Sequence, residues 1–165
     1  MEKTKKIYFH NNQNYLKCLI LHEHEYYIYK FQKLLRKEEK SKLFKFFYRT
    51  KKNILGSKLG FMIPANVFDE GLHIWHYGTI IVNGYSKVGK NCILHGNNCI
   101  GNNGKDECAP VIGNNVDIGF GSIIIGNVKI ADNIKIAAGA VVINSFLTPG
   151  VSIGGIPAKE LKKYD

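Results

Sequence analysis

The sequence predicts a mainly β fold: a parallel solenoid of six-residue blocks, preceded by a short α-helical region. The first observation is periodicity. From Ile63 to Phe146 the chain divides into fourteen blocks of six, whose second column reads Val82, Val88, Leu94, Ile100, Asp106, Ile112, Ile118, Ile124, Ile130, Ile136 and Val142. The second is punctuation: Asn114, Asn115, Gly126, Asn127, Asp132 and Asn133 recur between the aliphatics. The third is charge. Up to Met62 there are fifteen Lys and Arg against five Asp and Glu, whereas from Ile63 onward there are eight of each.

A period of six suits neither an amphipathic helix nor a long strand; it suits a short strand, a tight corner and another short strand. Corners that turn within two residues favour Gly, Asn and Asp, which tolerate positive φ. One block cannot bury its apolar face alone, so stability must come from stacked neighbours. The phase is interrupted at Asn102–Pro110, where a polar excursion puts Asp106 in the aliphatic column.

The N-terminal third has a different pattern. Between about Glu23 and Thr50, Tyr27, Phe31, Leu34, Leu35 and then Leu43, Phe44 and Phe47 recur at three- and four-residue intervals, predicting one or two amphipathic helices. Lysines and arginines crowd the remaining faces. Two readings are open: helices packed on the solenoid with a solvated basic face, or helices lying at an anionic membrane surface. No aromatic stacking motif or zinc pattern accompanies the charge, so nucleic acid is not an expected partner.

The 165 residues allow one compact domain plus an appendage, and no run of eighteen apolar residues is present. The N-terminal MEKTKKIYFHNNQN lacks a signal-peptide core, so the expected location is cytoplasmic, with membrane association as the alternative. Cys18, Cys92, Cys99 and Cys108 have no C-x-x-C spacing and read as reduced packing residues. The expected division is 1–60 basic helical region, 61–158 solenoid domain and 159–165 tail.

Blocks such as VIGNNV, DIGFGS and KIADNI resemble the hexapeptide-repeat acyltransferases. That resemblance implies a left-handed parallel β-helix, three blocks per eighteen-residue coil and nearly five coils. At about 4.8 Å per stacked strand, the prism would be on the order of 20 Å tall.

KLGFMIPANVFDEGLHIWHYGTIIVNG narrows the resemblance to the serine acetyltransferase-like branch, in which a Pro opens the first coil and a His follows twelve residues later. Pro64 and His76 have that spacing. His76 is thus the implied general base: an imidazole, unperturbed pKa about 6.5, can take the proton from an acceptor hydroxyl as it attacks the acetyl-CoA thioester. No covalent intermediate is required when both substrates share one cleft. His95, in ILHGNNCIG, is placed by an eighteen-residue coil near the level of His76, one coil along. It could polarise the thioester carbonyl, bind the acceptor hydroxyl or orient the base.

Departures from the serine enzymes shift the expected acceptor. Their Asp three residues before the Pro is Phe61 here, their Asp preceding the catalytic His is Trp75, and their later His is Ala109. KFQKLLRKEE is similar instead to the N-terminal helix of branch members associated with capsule and exopolysaccharide synthesis. An aromatic floor of Trp75, Tyr77 and Phe61 suits a sugar ring. Asp69 and Glu70 are candidate acceptor-site residues and candidate partners of His76.

The resemblance also implies acetyl-CoA held by backbone groups of the later coils at Gly119, Gly121, Ala137, Ala138 and Gly139. Lys159, Lys162 or Lys163 of SIGGIPAKELKK, or Lys105, would meet a phosphate. A homotrimer with shared sites follows by the same analogy, and no metal is expected.

The expected function is acetyl-CoA-dependent O-acetylation of a sugar hydroxyl on a capsular polysaccharide, exopolysaccharide or precursor. Alternatives are serine O-acetylation, a non-catalytic trimeric scaffold, or a zinc carbonic anhydrase-like protein in which His73, His76 and His95, contributed from adjacent subunits, would hold the metal.

Overall fold

The computed structural model describes residues 2–9, 12–104 and 107–161. Four helices come first: α1 (Glu2–Tyr8), α2 (Asn12–Ile20), α3 (His24–Lys40) and α4 (Lys45–Leu59). Five turns of solenoid follow. The first contains β1 (Phe61–Met62), a single bridge at Phe68 and β2 (His73–Ile74). The second holds β3 (Ile80–Val82), β4 (Lys87–Val88) and β5 (Ile93–Leu94); the third, β6 (Cys99–Gly101), β7 (Val111–Ile112) and β8 (Asp117–Ile118). The fourth holds β9 (Ile123–Ile125), β10 (Lys129–Ile130) and β11 (Lys135–Ile136). The fifth holds β12 (Val141–Val142), a bridge at Phe146 and β13 (Ser152–Gly155), onto which β14 (Ala158–Glu160) folds back antiparallel.

The chain visits three sheets in rotation, ordered β1-β3-β6-β9-β12, β4-β7-β10 and β2-β5-β8-β11-β13-β14, with every pairing parallel except the last. Val82, Val88, Leu94, Ile100, Ile112, Ile118, Ile124, Ile130, Ile136 and Val142 are each at most 3% exposed and form one continuous core. The corners match their chemistry. Asn91, Asn115 and Asn133 all take positive φ and link into a ladder, Asn91 Nδ2 donating to Asn115 Oδ1 and Asn115 Nδ2 to Asn133 Oδ1, both at 3.0 Å.

The six-residue frame does not extend back to Ile63. The first-turn residues in register with Val82, Val88 and Leu94 are the buried Ile63, Phe68 and Ile74, whereas an unbroken frame would have placed Pro64, Glu70 and His76 there. Between Ile100 and Ile112 the chain takes twelve residues for a side that Val82–Val88 covers in six, and Ile112 pairs directly with Val88, so one block is surplus to the ladder. Lys105 and Asp106 of that block, and Lys162 and Lys163, lie outside the described residues.

A solenoid's first turn leaves backbone groups without a turn beneath them, and an open edge invites aggregation. Here the helices supply the partners. The Tyr8 hydroxyl accepts from Ile74 N–H (2.9 Å) and donates to its carbonyl (3.2 Å). Arg36 donates to the Phe68 and Asp69 carbonyls, and Lys52 to that of Ile63 (3.0 Å). Glu38, 1% exposed, binds Lys52 and Arg49 at 2.9 and 2.8 Å. Burial pushes its carboxyl up, but its hydrogen bonds and the two cationic charges outweigh this and hold it below the usual carboxylate range.

Of the stripe expected on helix α3, Phe31 and Leu35 are buried and Tyr27 and Leu34 half-buried; Ile28, outside that stripe, is buried with them, and Phe31 lies edge-on to Phe61 at 5.2 Å. Helix α4 corrects the second half of that prediction. Leu43, Phe44 and Phe47 are exposed, and the helix docks instead through Lys52, Gly56 and Leu59. A Cβ on Gly56 would lie 2.6 Å from the Phe61 carbonyl oxygen, so glycine permits the close approach. Cys18 and Cys92 are buried, Cys99 is half-buried and Cys108 is exposed.

Candidate active site

The frame shift occurs at the corner between β2 and β3. Ile74 pairs with Leu94 and Val82 with Ile100, so this corner spends eight residues where the next turn spends six. The surplus is expelled outward: Trp75 is 46% and Tyr77 41% exposed, and His76 is exposed between them. Gly78, at φ 129°, turns the chain back, and Thr79 N–H is held by Asn97 Oδ1 at 2.9 Å. Gly78 N–H and Ile80 N–H donate to the carbonyls of Leu59 and Gly60, so the end of α4 clasps the excursion from the other side.

Register also corrects the placement of His95. Because β2 and β5 are twenty residues apart, His95 stacks over Trp75 rather than over His76. The two rings lie 6.0 Å apart at 21°. Continuing along this column, His95 N–H donates to Ile118 O, Gly119 N–H to Ile136 O and Ala137 N–H to Ile153 O. The outward column is therefore Trp75, His95, Gly119, Ala137 and Gly154: two large rings followed by three small residues. Beside it runs His73, Ile93, Asp117, Lys135 and Ser152.

Above His95 the small residues leave a cavity of about 280 Å³, lined by His95, Asp117, Gly119, Lys135, Ala137 and Leu161 among others. Of the residues expected at a cofactor, Gly119 and Ala137 line it. Gly121 and Gly139, at φ 70° and 69°, make turns, and Ala138 is exposed beside the second of them. Lys159 pairs with Gly154 on β14 without lining the cavity; the cation that does so is Lys135.

His95 Nε2 donates to Asp117 Oδ1 at 2.8 Å. This leaves Nδ1 to donate to a carbonyl when protonated or accept from a hydroxyl when neutral. Asp117 was missed in the sequence. Its signal is an acid in a strand position held by Ile93 in the preceding turn and Lys135 in the next, displaced from view by the loop insertion.

The His76 ring lies 6.4 Å from Trp75 and 6.2 Å from His24, the first residue of α3, whose own ring is edge-on to Tyr77 at 5.7 Å. His24 Nε2 is 3.3 Å from Glu25 Oε1. This tertiary approach had no signature in sequence. Asp69 and Glu70 sit at the other end of β2, where their backbones pair with Val88 and Asn91. Phe61 is buried against Phe31 and does not contribute to an exposed aromatic floor.

His73 lies between Tyr8 (5.2 Å) and Trp75 (4.7 Å). Burial, followed by the charge of His95, holds its imidazole below the ordinary value. Among the described residues of the single chain, the metal-type donors that meet within 4.8 Å are those of Cys18, Glu23 and Glu25; His73, His76 and His95 form no such group within one chain.

No protein-family model matches the chain. Over 98 residues it is 29% identical to a serine acetyltransferase of Synechococcus elongatus, covering 58% of this chain and 40% of that protein. Over 62 residues it is 40% identical to a serine acetyltransferase of Buchnera aphidicola subsp. Schizaphis graminum, covering 38% and 23%. The crystal structure of the serine acetyltransferase from Brucella abortus strain S19 in complex with coenzyme A superposes with a TM-score of 0.69 at 26% identity, covering 86% of this chain and 56% of that one. The chain thus spans less than half of these curated relatives and just over half of the solved structure, and its mainly β fold with parallel sheets and N-terminal helices is similar to theirs.

Proposed function

We propose that this protein is an acetyl-CoA-dependent O-acetyltransferase working at the corner between β2 and β3. The observation that carries the reading is the two-residue surplus that exposes Trp75, His76 and Tyr77, with the Trp75 ring 6.4 Å from His76 and stacked 6.0 Å from His95, which lines the cavity with Gly119 and Ala137. His76 takes the proton of the acceptor hydroxyl as its oxygen attacks the thioester carbonyl. Collapse of the tetrahedral adduct breaks the C–S bond, and the proton passes to the departing thiolate.

His95, held by Asp117 through Nε2, donates in its imidazolium form from Nδ1 to the thioester carbonyl oxygen, aimed where negative charge develops. The small residues Gly119 and Ala137 let a pantetheine arm approach the backbone, and Lys135 offers a point charge to a phosphate. His24 is a positioning residue, restraining the His76 ring from the end of α3. In this reading the solenoid is wound left-handed and assembles as a homotrimer, as the hexapeptide-repeat resemblance implies.

The names of the relatives support serine as the acceptor. A second reading, a sugar hydroxyl of a capsular polysaccharide, exopolysaccharide or precursor, is favoured by the exposed Trp75 and Tyr77, which offer apolar faces to a pyranose ring. Measuring kcat/KM for acetyl transfer to serine and to a panel of sugars and oligosaccharides decides between them. A preference for serine that survives Trp75→Ala removes the sugar reading; a preference for a glycan that Trp75→Ala abolishes removes serine.

A further inference from the structure

The tip joining α3 to α4 exposes an apolar cluster that packing within the chain does not explain. Leu43 is 84%, Phe46 81%, Phe44 57% and Phe47 49% exposed, and Ile54 continues the same stripe along α4. The opposite face of α4 already docks through Gly56 and Leu59. This helix therefore carries two apolar faces, one of them unpartnered. Among the described residues, no helix is long and apolar enough to cross a membrane.

Charge selects the occupant. Between Glu39 and Asp69 the chain has seven Lys and Arg and no Asp or Glu. Lys42, Lys45 and Lys51 flank the aromatics, with Lys51 Nζ 4.3 Å from the centre of the Phe47 ring. A second copy laid face to face on this tip would oppose cations with no acid to offset them. A headgroup layer bearing negative charge accepts the lysines while its acyl boundary accepts the rings, the pattern of helices that lie in a membrane interface.

We propose that the α3–α4 tip is a peripheral membrane anchor specific for anionic phospholipid, inserting Leu43, Phe44 and Phe46 while Lys42, Lys45 and Lys51 meet the headgroups. Helix α3 spans seventeen residues, about 25 Å, so docking by the tip holds the His24 end and the corner beside it away from the bilayer. This inference stands independently of the proposed chemistry.

The test is co-flotation of the full chain with phosphatidylcholine vesicles, with and without phosphatidylglycerol, at low and high salt. The wild type is expected to float only with phosphatidylglycerol and to be released by salt. Each Lys→Gln change at 42, 45 or 51 is expected to lower partitioning about fivefold. The pair Leu43→Glu and Phe46→Glu is expected to lower it by more than tenfold, with melting temperature and thiol release from acetyl-CoA unchanged. Failure of the wild type to float, or flotation indifferent to these substitutions, overturns the proposal. So does a drop in molar mass by light scattering when Leu43 and Phe46 are replaced, which would assign the face to a second copy.

Discussion

Replacing Gly78 by alanine strains the excursion at the point where it rejoins the solenoid. The φ of 129° is costly for any residue with a Cβ, about 1–3 kcal/mol. The new methyl would also lie 2.3 Å from Asn97 Oδ1, the atom that holds Thr79 N–H. Asn97 must therefore swing away, forfeiting that hydrogen bond, about 1 kcal/mol. Together these give about 3 kcal/mol, a fall in melting temperature of roughly 6–12 °C for a chain of this size. His76 is two residues away, and a shift of about 1 Å at a reacting group costs on the order of 10²-fold in rate. Thermal unfolding at fixed protein concentration and thiol release from acetyl-CoA read the two effects separately. Asn97→Gly forfeits the same hydrogen bond by itself, so in the Gly78→Ala background it should cost about 1 kcal/mol less than it does alone. Equal stability of Gly78→Ala and wild type, or strictly additive losses in the double variant, refutes the reasoning.

Three further outcomes follow from the packing and the charges. Ile118, fully buried in the middle turn, should lose about 2–5 kcal/mol on conversion to alanine, read by denaturant unfolding, because rigid neighbouring turns cannot collapse into the space. Glu38→Gln should cost about 3 kcal/mol in the same assay, since it leaves the Lys52 ammonium buried without its carboxylate. For His73 the folded state disfavours protonation, so its contribution to stability is complete above the unfolded pKa near 6.5 and is lost as pH falls below it. Melting curves between pH 7.5 and 5.5 should show a decline in wild type that His73→Phe reduces; an equal decline in both contradicts the assignment.

What the sequence disclosed depended on whether the information was periodic. The inward column from Val82 to Val142 was legible because its aliphatic members stack on aliphatics one turn away, and all ten of those aliphatics are buried. Corner residues were legible for a related reason: Asn115, Gly126 and Asn133, read as turn residues, take positive φ, and Asn91, which was not singled out, does the same one turn earlier. The first turn was not, because its frame is offset and no preceding turn exists to compare it with. The same offset misplaced His95 relative to His76.

Helix α4 misled because its more conspicuous apolar stripe, Leu43, Phe44 and Phe47, is the exposed one, while the docking face begins at Lys52 and depends on a glycine. Arg36 and Lys52 read as members of a solvated basic face, yet both cap carbonyls of the first turn. The His24 approach to His76 is purely tertiary and follows from no pattern. Asp117 was accessible in principle, had the turns been aligned after removing the loop between Gly101 and Pro110.

The measurement that bears most directly on the central claim is acceptor-dependent thiol release from acetyl-CoA by wild type and His76→Ala, with melting curves recorded on both. Turnover is expected in the wild type, with a loss of about 10²–10⁴-fold in the variant if His76 is the general base, and an unchanged melting temperature because the His76 side chain is exposed. Undiminished turnover in His76→Ala, or a wild type that cleaves acetyl-CoA with no hydroxyl acceptor dependence, would contradict that claim.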